Sequence, residues 1–335
     1  MKAIVAVEQG SPAVLQLVDL PMPKPGPGQV LVKVYASSVN PIDTKVRQFK
    51  LPMTPHQFPA ILHGDFAGVI EAVADPVSRF RVGDEVFGFA GGIRGQHADL
   101  AGALAEYTVV DAELIALKPR SLGFREAAAL PLVAATAWLA LCDKVKLNKD
   151  TTVLVHGGTG GVGHVAIQLA KAAGAKVFTT VSSQAKGDIA RSLGADVAIN
   201  YRETPSDEIL ARHQLGDGFD VVFDTVGGAV LDQSFLLVRP GGDVITVMGA
   251  SSHNLAPLYL RGANLHTVLV LSAMMYGRGR EQQGRILDEV RHLVDTGRLK
   301  PLVDEERFDL ARAADAHRKL EAGKALGKLV IDVQS

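Results

Sequence analysis

Cysteine is almost missing from this chain of 335 residues: Cys142 is the single one. No intrachain disulfide can form, which argues for a reducing compartment. An excess of either charge is missing too, since 35 Lys and Arg stand against 36 Asp and Glu, a net of −1. Without a broad basic face, neither nucleic acid nor an anionic membrane is an expected partner, and small molecules are. Long hydrophobic runs are also lacking. The most apolar segment, AAALPLVAATAWLALC at 127–142, falls short of the roughly 20 residues that span a bilayer, and Pro131 interrupts it, so it reads as buried helix. The start, MKAIVAVEQG, has no long apolar region or cleavage site of a signal peptide. Internal repeats and low-complexity segments do not occur. A soluble, cytoplasmic protein is the expectation, with two domains, because single cores stop growing at roughly 250–300 residues.

What the chain does have is glycine in one telling place. At 151–174 it reads TTVLVHGGTGGVGHVAIQLAKAAG. An apolar run, Val153, Leu154 and Val155, feeds a glycine cluster, and an amphipathic pattern of Val162, Val165, Ala166, Leu169, Ala170 and Ala173 follows. This predicts strand, tight turn and helix. As G-x-G-x-x-G it uses Gly158 to make the turn, Gly160 to let backbone approach a pyrophosphate, and Gly163 to let helix pack closely on strand. Amides at the new helix's N-terminus then face an anion.

The rest of the chain changes rhythm twice. Up to about residue 121 it is mostly β, with strands predicted at 3–7, 30–36, 68–74 and 105–110 between turn-rich connections such as PMPKPGPG at 21–28. From about residue 123 strands and helices alternate. Strands at 176–181, 197–200, 220–225 and 243–248, with helices at 189–193 and 230–238, predict βαβ units and a doubly wound parallel sheet. Its ligand should lie across the carboxyl ends of the strands. Beyond 265–271, a sixth strand, come one helical face at 286–294, a helix at 310–320 and a closing strand at 329–333.

With these parts in order, the chain resembles the medium-chain dehydrogenase/reductase superfamily, in its zinc-independent NADPH:quinone oxidoreductase (zeta-crystallin-like) branch. The resemblance spans nearly the whole chain: SSVNPIDTKVR at 37–47, GDFAGVIEAV at 64–73, RVGDEVFGF at 81–89, LAEYTVV at 104–110, the glycine stretch, LGADVAINYRE at 193–203 and GKLVIDV at 327–333. It implies an α/β architecture in which a doubly wound Rossmann domain, 124–271, is inserted into a GroES-like (chaperonin-10-like) β domain, 1–123 plus 272–335, with the active site where the two meet.

The cofactor implied is NADP(H). An NAD enzyme places Asp or Glu about 20 residues beyond the glycines, where it bonds the ribose hydroxyls. Here that place reads TTVSSQAK at 179–186, with no carboxylate, while Ser182, Ser183 and Lys186 suit a 2′-phosphate. By resemblance, Lys186 and Tyr201 contact that phosphate. Further cofactor contacts fall at Thr136, Gly158, Thr159, Gly160, Gly161, Val162, Gly163, Thr225, Val226, Val247, Met248, Gly249, Val270, Leu271 and Lys328.

Zinc relatives use two cysteines and a histidine, or close variants, and often a structural four-cysteine site. One cysteine excludes the structural site, and the Gly-His-Glu of zinc members stands here as His63, Gly64 and Asp65, so no metal is expected. His63 and His156 read as structural, Asp65 as a structural acceptor. Without a Lewis acid, quinones and conjugated carbonyls are the acceptors expected, because hydride delivered to them yields a delocalised oxyanion. The catalytic candidates are Asn40, Asp43 and Lys45. Lys45 replaces a common aromatic residue, and either serves the cleft, steadying an oxyanion or a phosphate, or is an ordinary exposed lysine. The long loop 89–107, with Arg94 and His97, is either a lid or specificity element or a surface excursion. Two alternatives stay open: an enoyl-thioester or alkenal double-bond reductase, and a non-catalytic NADPH-binding structural protein. A homodimer or homotetramer is expected, pairing through strand 243–248 and the strand near Leu265.

Overall fold

A computed structural model describes residues 1–334. The chain divides into two compact units, Met1–Ala135 with Leu271–Ser335, and Thr136–Val270.

The first unit is built on the strand Gln29–Val39, whose Val30, Val32 and Val34 are fully buried. One antiparallel neighbour is Asp65–Val73, with Ser37 opposite Phe66. On the other side lies the chain's last strand, Leu329–Asp332, with Leu329 opposite Val39. The sheet continues outward through Glu85–Phe89 and Ile115–Leu117 at one end and Phe308–Asp309 at the other. These registers have two consequences for chemistry: Asp65 begins its strand beside Ser38, and Lys328 arrives beside Asn40.

The helix Pro41–Gln48 was not expected in a stretch that reads as β. Its cause is local. Pro41 occupies the first helical position with no amide to waste, Asn40 is extended at φ −120°, and the Asp43 carboxylate accepts the Asn40 amide at 2.7 Å. The apolar segment near Pro131 is likewise two helices, Phe124–Ala128 and Pro131–Trp138, the proline again opening the second. The first of these belongs with the β unit: Phe124 stacks on Tyr35 at 4.4 Å, and Arg125 reaches the Val330 carbonyl and Asp332. The division therefore falls at Ala135/Thr136 rather than 123/124, and at Val270/Leu271 on the return.

The second unit is one sheet of six parallel strands. With the strands numbered along the chain the spatial order is 3-2-1-4-5-6: Val197–Asn200, Lys176–Val181, Thr152–Val155, Phe219–Asp224, Val238–Thr246 and Asn264–Thr267. The order reverses between Thr152–Val155 and Phe219–Asp224, which makes the carboxyl ends of those strands the crevice for a ligand. Phe178, Phe219, Val222, Phe235 and Val244 fill one core cluster, each side chain contributing roughly 1.5–3 kcal/mol by leaving water. Strand Val238–Thr246 pairs on both sides, so it is not the edge expected of 243–248; the outer strand on that side is Asn264–Thr267, and Val197–Asn200 is outermost on the other. The strand expected at 265–271 stops at Thr267, and the chain turns into a short helix, Ser272–Tyr276.

Candidate functional site

In the second unit the glycine turn does what its spacing implies. A Cβ on Gly158 would lie 2.1 Å from the Thr179 hydroxyl, and one on Gly163 would lie 2.1 Å from the Gly157 carbonyl, so helix and strand meet only because both are glycine. Gly157 itself turns with φ +75°. Helix Gly161–Ala172 then starts at Gly160 with no side chain capping it, which leaves its first amides to an anion. Thr180 steadies the turn by accepting the Gly157 amide at 3.1 Å.

The neighbouring strand ends supply the remaining candidates. Asp224, fully buried, accepts the amides of Val226 and Gly227 and the Thr246 hydroxyl, and Thr246 in turn accepts the Met248 amide at 3.0 Å. Thr225, Val226, Val247, Met248 and Gly249 are thus gathered on one edge. At the next strand, Ser183 caps helix Gln184–Ser192 through the Lys186 amide, and the Tyr201 amide donates to the Val181 carbonyl at 3.1 Å. Ser182, Ser183, Lys186 and Tyr201 therefore share the carboxyl end of two adjacent strands, with no carboxylate among them. A group with a 2′-phosphate fits this set by charge and by donor count. His156, at the end of Thr152–Val155, is buried and neutral, its pKa pushed down to about 4 by desolvation despite the nearby Asp224 charge.

The first unit holds a buried polar cluster. Asp65 is its hub: Oδ2 accepts from Ser38 Oγ (2.9 Å), Asn40 Nδ2 (2.7 Å) and Lys328 Nζ (3.2 Å), and Oδ1 from the Leu132 amide (2.8 Å). Lys328 also donates to the Val39 carbonyl and to Asn40 Oδ1. Because an ammonium only donates, the Asn40 amide has one orientation, with its oxygen on Lys328 and its nitrogen on Asp65. One Asn40 N–H is left over. Burial pulls the Lys328 pKa down, and the Asp65 and Asp43 charges pull against it. Asp43 is pushed up to about 7 by desolvation, its other oxygen having no partner.

Lys328, expected among the cofactor contacts, spends all three hydrogens inside this cluster. One of them goes to Asn40 Oδ1. Lys45, on the same helix as Asp43, is half-buried rather than exposed, and burial lowers its pKa. Thr136 and Val270 are buried where the second unit begins and ends, and Leu271 is buried where the first resumes.

A second chain of hydrogen bonds adjoins Asp65. Arg47 Nε donates to His317 Nδ1 at 3.3 Å, so neutral His317 carries its hydrogen on Nε2, 2.8 Å from His63 Nε2. His63 must then donate from Nδ1 to Ser37 Oγ (3.3 Å), and Ser37 donates to the Asp65 carbonyl (2.9 Å). Both imidazoles are held neutral: desolvation takes His317 to about 3 and His63 well below its ordinary value. His63 adopts φ +66°, a left-handed conformation that costs a non-glycine residue about 1–2 kcal/mol and that its two ring contacts hold in place.

This donor set does not suit zinc. Both His63 nitrogens and both Asp65 oxygens are already engaged, with an ammonium on the carboxylate, and among the described residues no three His, Cys, Asp or Glu side chains are grouped to hold a metal. The loop at 89–107 is anchored at its base and exposed at Gln96, His97 and Ala98. It contains a small hairpin, Ile93–Arg94 with Asp99–Leu100, tied down by the Arg94 amide on the Met53 carbonyl and the Ala103 amide on the His63 carbonyl.

A parallel sheet reversing at a glycine turn, carried in one chain with a β unit completed by its own C-terminal strand, defines a nucleotide-dependent dehydrogenase/reductase. Comparison with known proteins narrows the class. Residues 26–120 match the alcohol dehydrogenase GroES-like domain and residues 193–331 the zinc-binding dehydrogenase family. The chain is 36% identical to 2-methylene-furan-3-one reductase of Solanum lycopersicum over 99% of its own length and 79% of the relative's. An alcohol dehydrogenase superfamily protein from Novosphingobium aromaticivorans superposes with a TM-score of 0.92 at 40% identity, covering both chains fully. Escherichia coli quinone oxidoreductase, solved with NADPH, superposes with a TM-score of 0.86 at 27% identity over 99% of this chain and 100% of that one. The chain belongs to the medium-chain dehydrogenase/reductase superfamily, in its zinc-independent quinone oxidoreductase branch, and is an oxidoreductase.

Sequence reasoning located the glycine turn and read Asp65 as an acceptor, which its four hydrogen bonds match. It did not see Ser38, Asp224 or His317. Only strand register and tertiary packing bring those residues to their partners.

Proposed function

We propose that this protein reduces quinones and conjugated carbonyl compounds with NADPH, without a metal. The observation that carries the reading is the carboxylate-free strand end bearing Ser182, Ser183, Lys186 and Tyr201 beside a glycine turn whose helix offers uncapped amides. When bound, the dinucleotide supplies a hydride, which is two electrons and a proton's mass. The helix N-terminus at Gly160 and Gly161 holds the pyrophosphate, and Lys186 pairs with the ribose phosphate. Asn40, locked by Lys328 and Asp65, presents its remaining N–H to the oxygen on which negative charge develops, and needs no reorganisation to do so. The acceptor gains the hydride on carbon and one proton from solvent on its α-carbon or oxygen, so one NADPH and one proton are consumed per acceptor.

The relative from Solanum lycopersicum is named for reducing an enone and the Escherichia coli neighbour for reducing quinones, which supports both acceptor classes for this chain. Two copies pair through the open edge strand Asn264–Thr267 and the helix beside it, Ala256–Arg261.

The experiment is a comparison of kcat/KM for NADPH and NADH with a quinone, a 2-alkenal and an enoyl thioester, before and after chelator treatment. At least tenfold preference for NADPH with rates unchanged by the chelator is expected, since one charge-assisted hydrogen bond contributes about 1.5–3 kcal/mol. Equal use of NADH, or inactivation by the chelator, would overturn the proposal. Tight NADPH binding with no turnover of any acceptor would move the protein to a structural role.

A further inference from the structure

In the second unit, the stretch that follows the cofactor-lining strand end is held by side chains alone. Strand Val238–Thr246 runs on into Val247, Met248 and Gly249, all expected among the cofactor contacts, and the chain re-enters helix at Ala256. Met248 is fixed at the base of this stretch. Its amide donates to Thr246 Oγ1 at 3.0 Å, and a Cβ on Gly227, whose φ is +83°, would lie 2.6 Å from Met248 Cβ, so only glycine at 227 leaves Met248 its seat. Beyond Met248 the backbone ties stop. Among the described residues no backbone amide or carbonyl of 249–254 forms a hydrogen bond, and 249–252 are exposed.

A run of side-chain bonds takes their place. Ser251 Oγ lies 2.6 Å from His253 Nε2, and His253 Nδ1 lies 2.9 Å from Asp232 Oδ1. A carboxylate only accepts, so neutral His253 carries its hydrogen on Nδ1, and its Nε2 accepts from the Ser251 hydroxyl. Asp232 stands on helix Ala229–Leu237 about one turn before Phe235, and the His253 and Phe235 rings meet edge to face with centroids 6.1 Å apart. Phe235 belongs to the core of this unit, so the anchor is rigid. Only 9% of the His253 side chain is exposed, between neighbours that are open to solvent. Serine, base and carboxylate stand in the order a hydrolase uses. A hydrolase buries its carboxylate, however, and Asp232 is 52% exposed, so this arrangement ties a loop rather than activating a nucleophile.

We propose that Asp232 and His253 are positioning residues for the cofactor: through Ser251 they hold 249–252 beside the carboxyl end of strand Val238–Thr246 and so set how fast NADP(H) leaves. The inference rests on the cofactor reading above and assigns the control of that site. Gly249 and Ala250 bridge two fixed points, Met248 on Gly227 and Ser251 on His253, so freeing Ser251 frees Gly249 as well. A loop without backbone bonds has many conformations close in free energy, and a few side-chain bonds decide which of them is populated. Cutting the tie spreads the loop over conformations that contact the dinucleotide less, which is registered mainly as faster release.

Stopped-flow measurement of NADPH release from the full-length protein tests this with Asp232→Ala and His253→Phe, the latter keeping a ring on Phe235. Both variants should release NADPH about three- to tenfold faster than wild type, the range of one or two ordinary hydrogen bonds, with melting temperatures unchanged. Asp232→Asn, whose amide oxygen can still accept the Nδ1 hydrogen, should recover part of the difference, which loss of a merely structural residue would not predict. KM for NADPH should rise while KM for the acceptor at saturating NADPH holds. Imidazole nitrogen NMR shifts in the free protein report the tie without any cofactor: His253 should show the Nδ1–H tautomer in wild type and revert to Nε2–H in Asp232→Ala. A His253 tautomer indifferent to Asp232 would overturn the inference, because the tie is then not made. A tautomer that responds beside a release rate that does not would overturn it as well, because the tie then has no hold on the cofactor. Wild-type protein that binds NADPH but reduces no acceptor would fail the reductase reading alone, and the release rates of the variants still decide this one.

Discussion

Asp43 and the His63–His317 pair are buried titratable groups with opposite effects on stability. Asp43 has a folded pKa of about 7 against 3.8 when exposed. The native state therefore holds a proton that the unfolded chain releases, and stability is lost as pH rises through that window, by up to about 4 kcal/mol. For His317 the folded value of about 3 lies below the ordinary 6.5, and His63 shifts the same way. Here the unfolded chain binds the protons, so stability rises with pH over that interval and is complete above it. His156, pushed down to about 4, acts in the same direction, so three histidines oppose Asp43 and denaturant titrations should show net loss of stability on acidification. Asp43→Asn can keep the Asn40 cap through its amide oxygen, and it removes the opposing contribution. The slope of stability against pH between about 4 and 6.5 should steepen in that variant; an unchanged slope would mean that Asp43 is ionised in the fold. None of this was legible in the sequence. Asn40 and Asp43 could be named from SSVNPIDTK, but the pKa of Asp43 depends first on burial, then on its bond to the Asn40 amide, on Lys328 just before the last strand and on the Asp65 carboxylate, which only folding brings together.

At the level of elements, what was legible followed periodicity and glycine spacing. The alternating half of the chain announced its strands through runs such as VVF before Asp224, and its turn through Gly158, Gly160 and Gly163. The helix Pro41–Gln48 and the hairpin at 93–100 escaped because the first depends on a proline and a capping aspartate rather than on an apolar stripe, and the second on docking to Leu62 and His63. The glycines of the turn should separate by experiment. Gly163→Ala places a Cβ 2.1 Å from a backbone carbonyl that cannot step aside, whereas Gly160→Ala meets the same oxygen at 3.2 Å on an exposed corner. Gly163→Ala is expected to lower stability by about 1–3 kcal/mol and to weaken NADPH binding as well. Gly160→Ala should leave the melting temperature nearly unchanged and weaken binding alone, by crowding the pyrophosphate. Thermal unfolding beside a fluorescence titration with NADPH separates the two, and equal losses of stability would show that the turn is not packed as described.

For the molecule as a whole, the sheet of the second unit has two outer strands, Val197–Asn200 and Asn264–Thr267, each paired on one side only, and the second of them lies in apolar surroundings. Among the described residues no strand pairs with the outer side of Asn264–Thr267, and an open edge invites pairing with another chain. The surface around it is apolar: Tyr259 is 84% and Leu260 81% exposed, and Leu236, Leu255, Leu265 and Leu269 are exposed as well. Residues this hydrophobic, gathered near one edge, are costly to leave in water and mark an association surface. A second copy of the same chain fits both features at once, because a two-fold axis at the edge pairs like strand with like strand and covers each copy's leucines with the other's. The sequence pointed to this region through Leu265 but set the edge partly at 243–248, which the structure fills on both sides. If copies pair as proposed, Leu260→Glu, a change at a position that contributes little to the fold of the single chain, should yield a monomer in light scattering where the wild type is a dimer, with its unfolding otherwise unaltered. A wild-type protein that is monomeric at micromolar concentration, or a Leu260→Glu variant that stays dimeric, would show that these leucines serve some other contact.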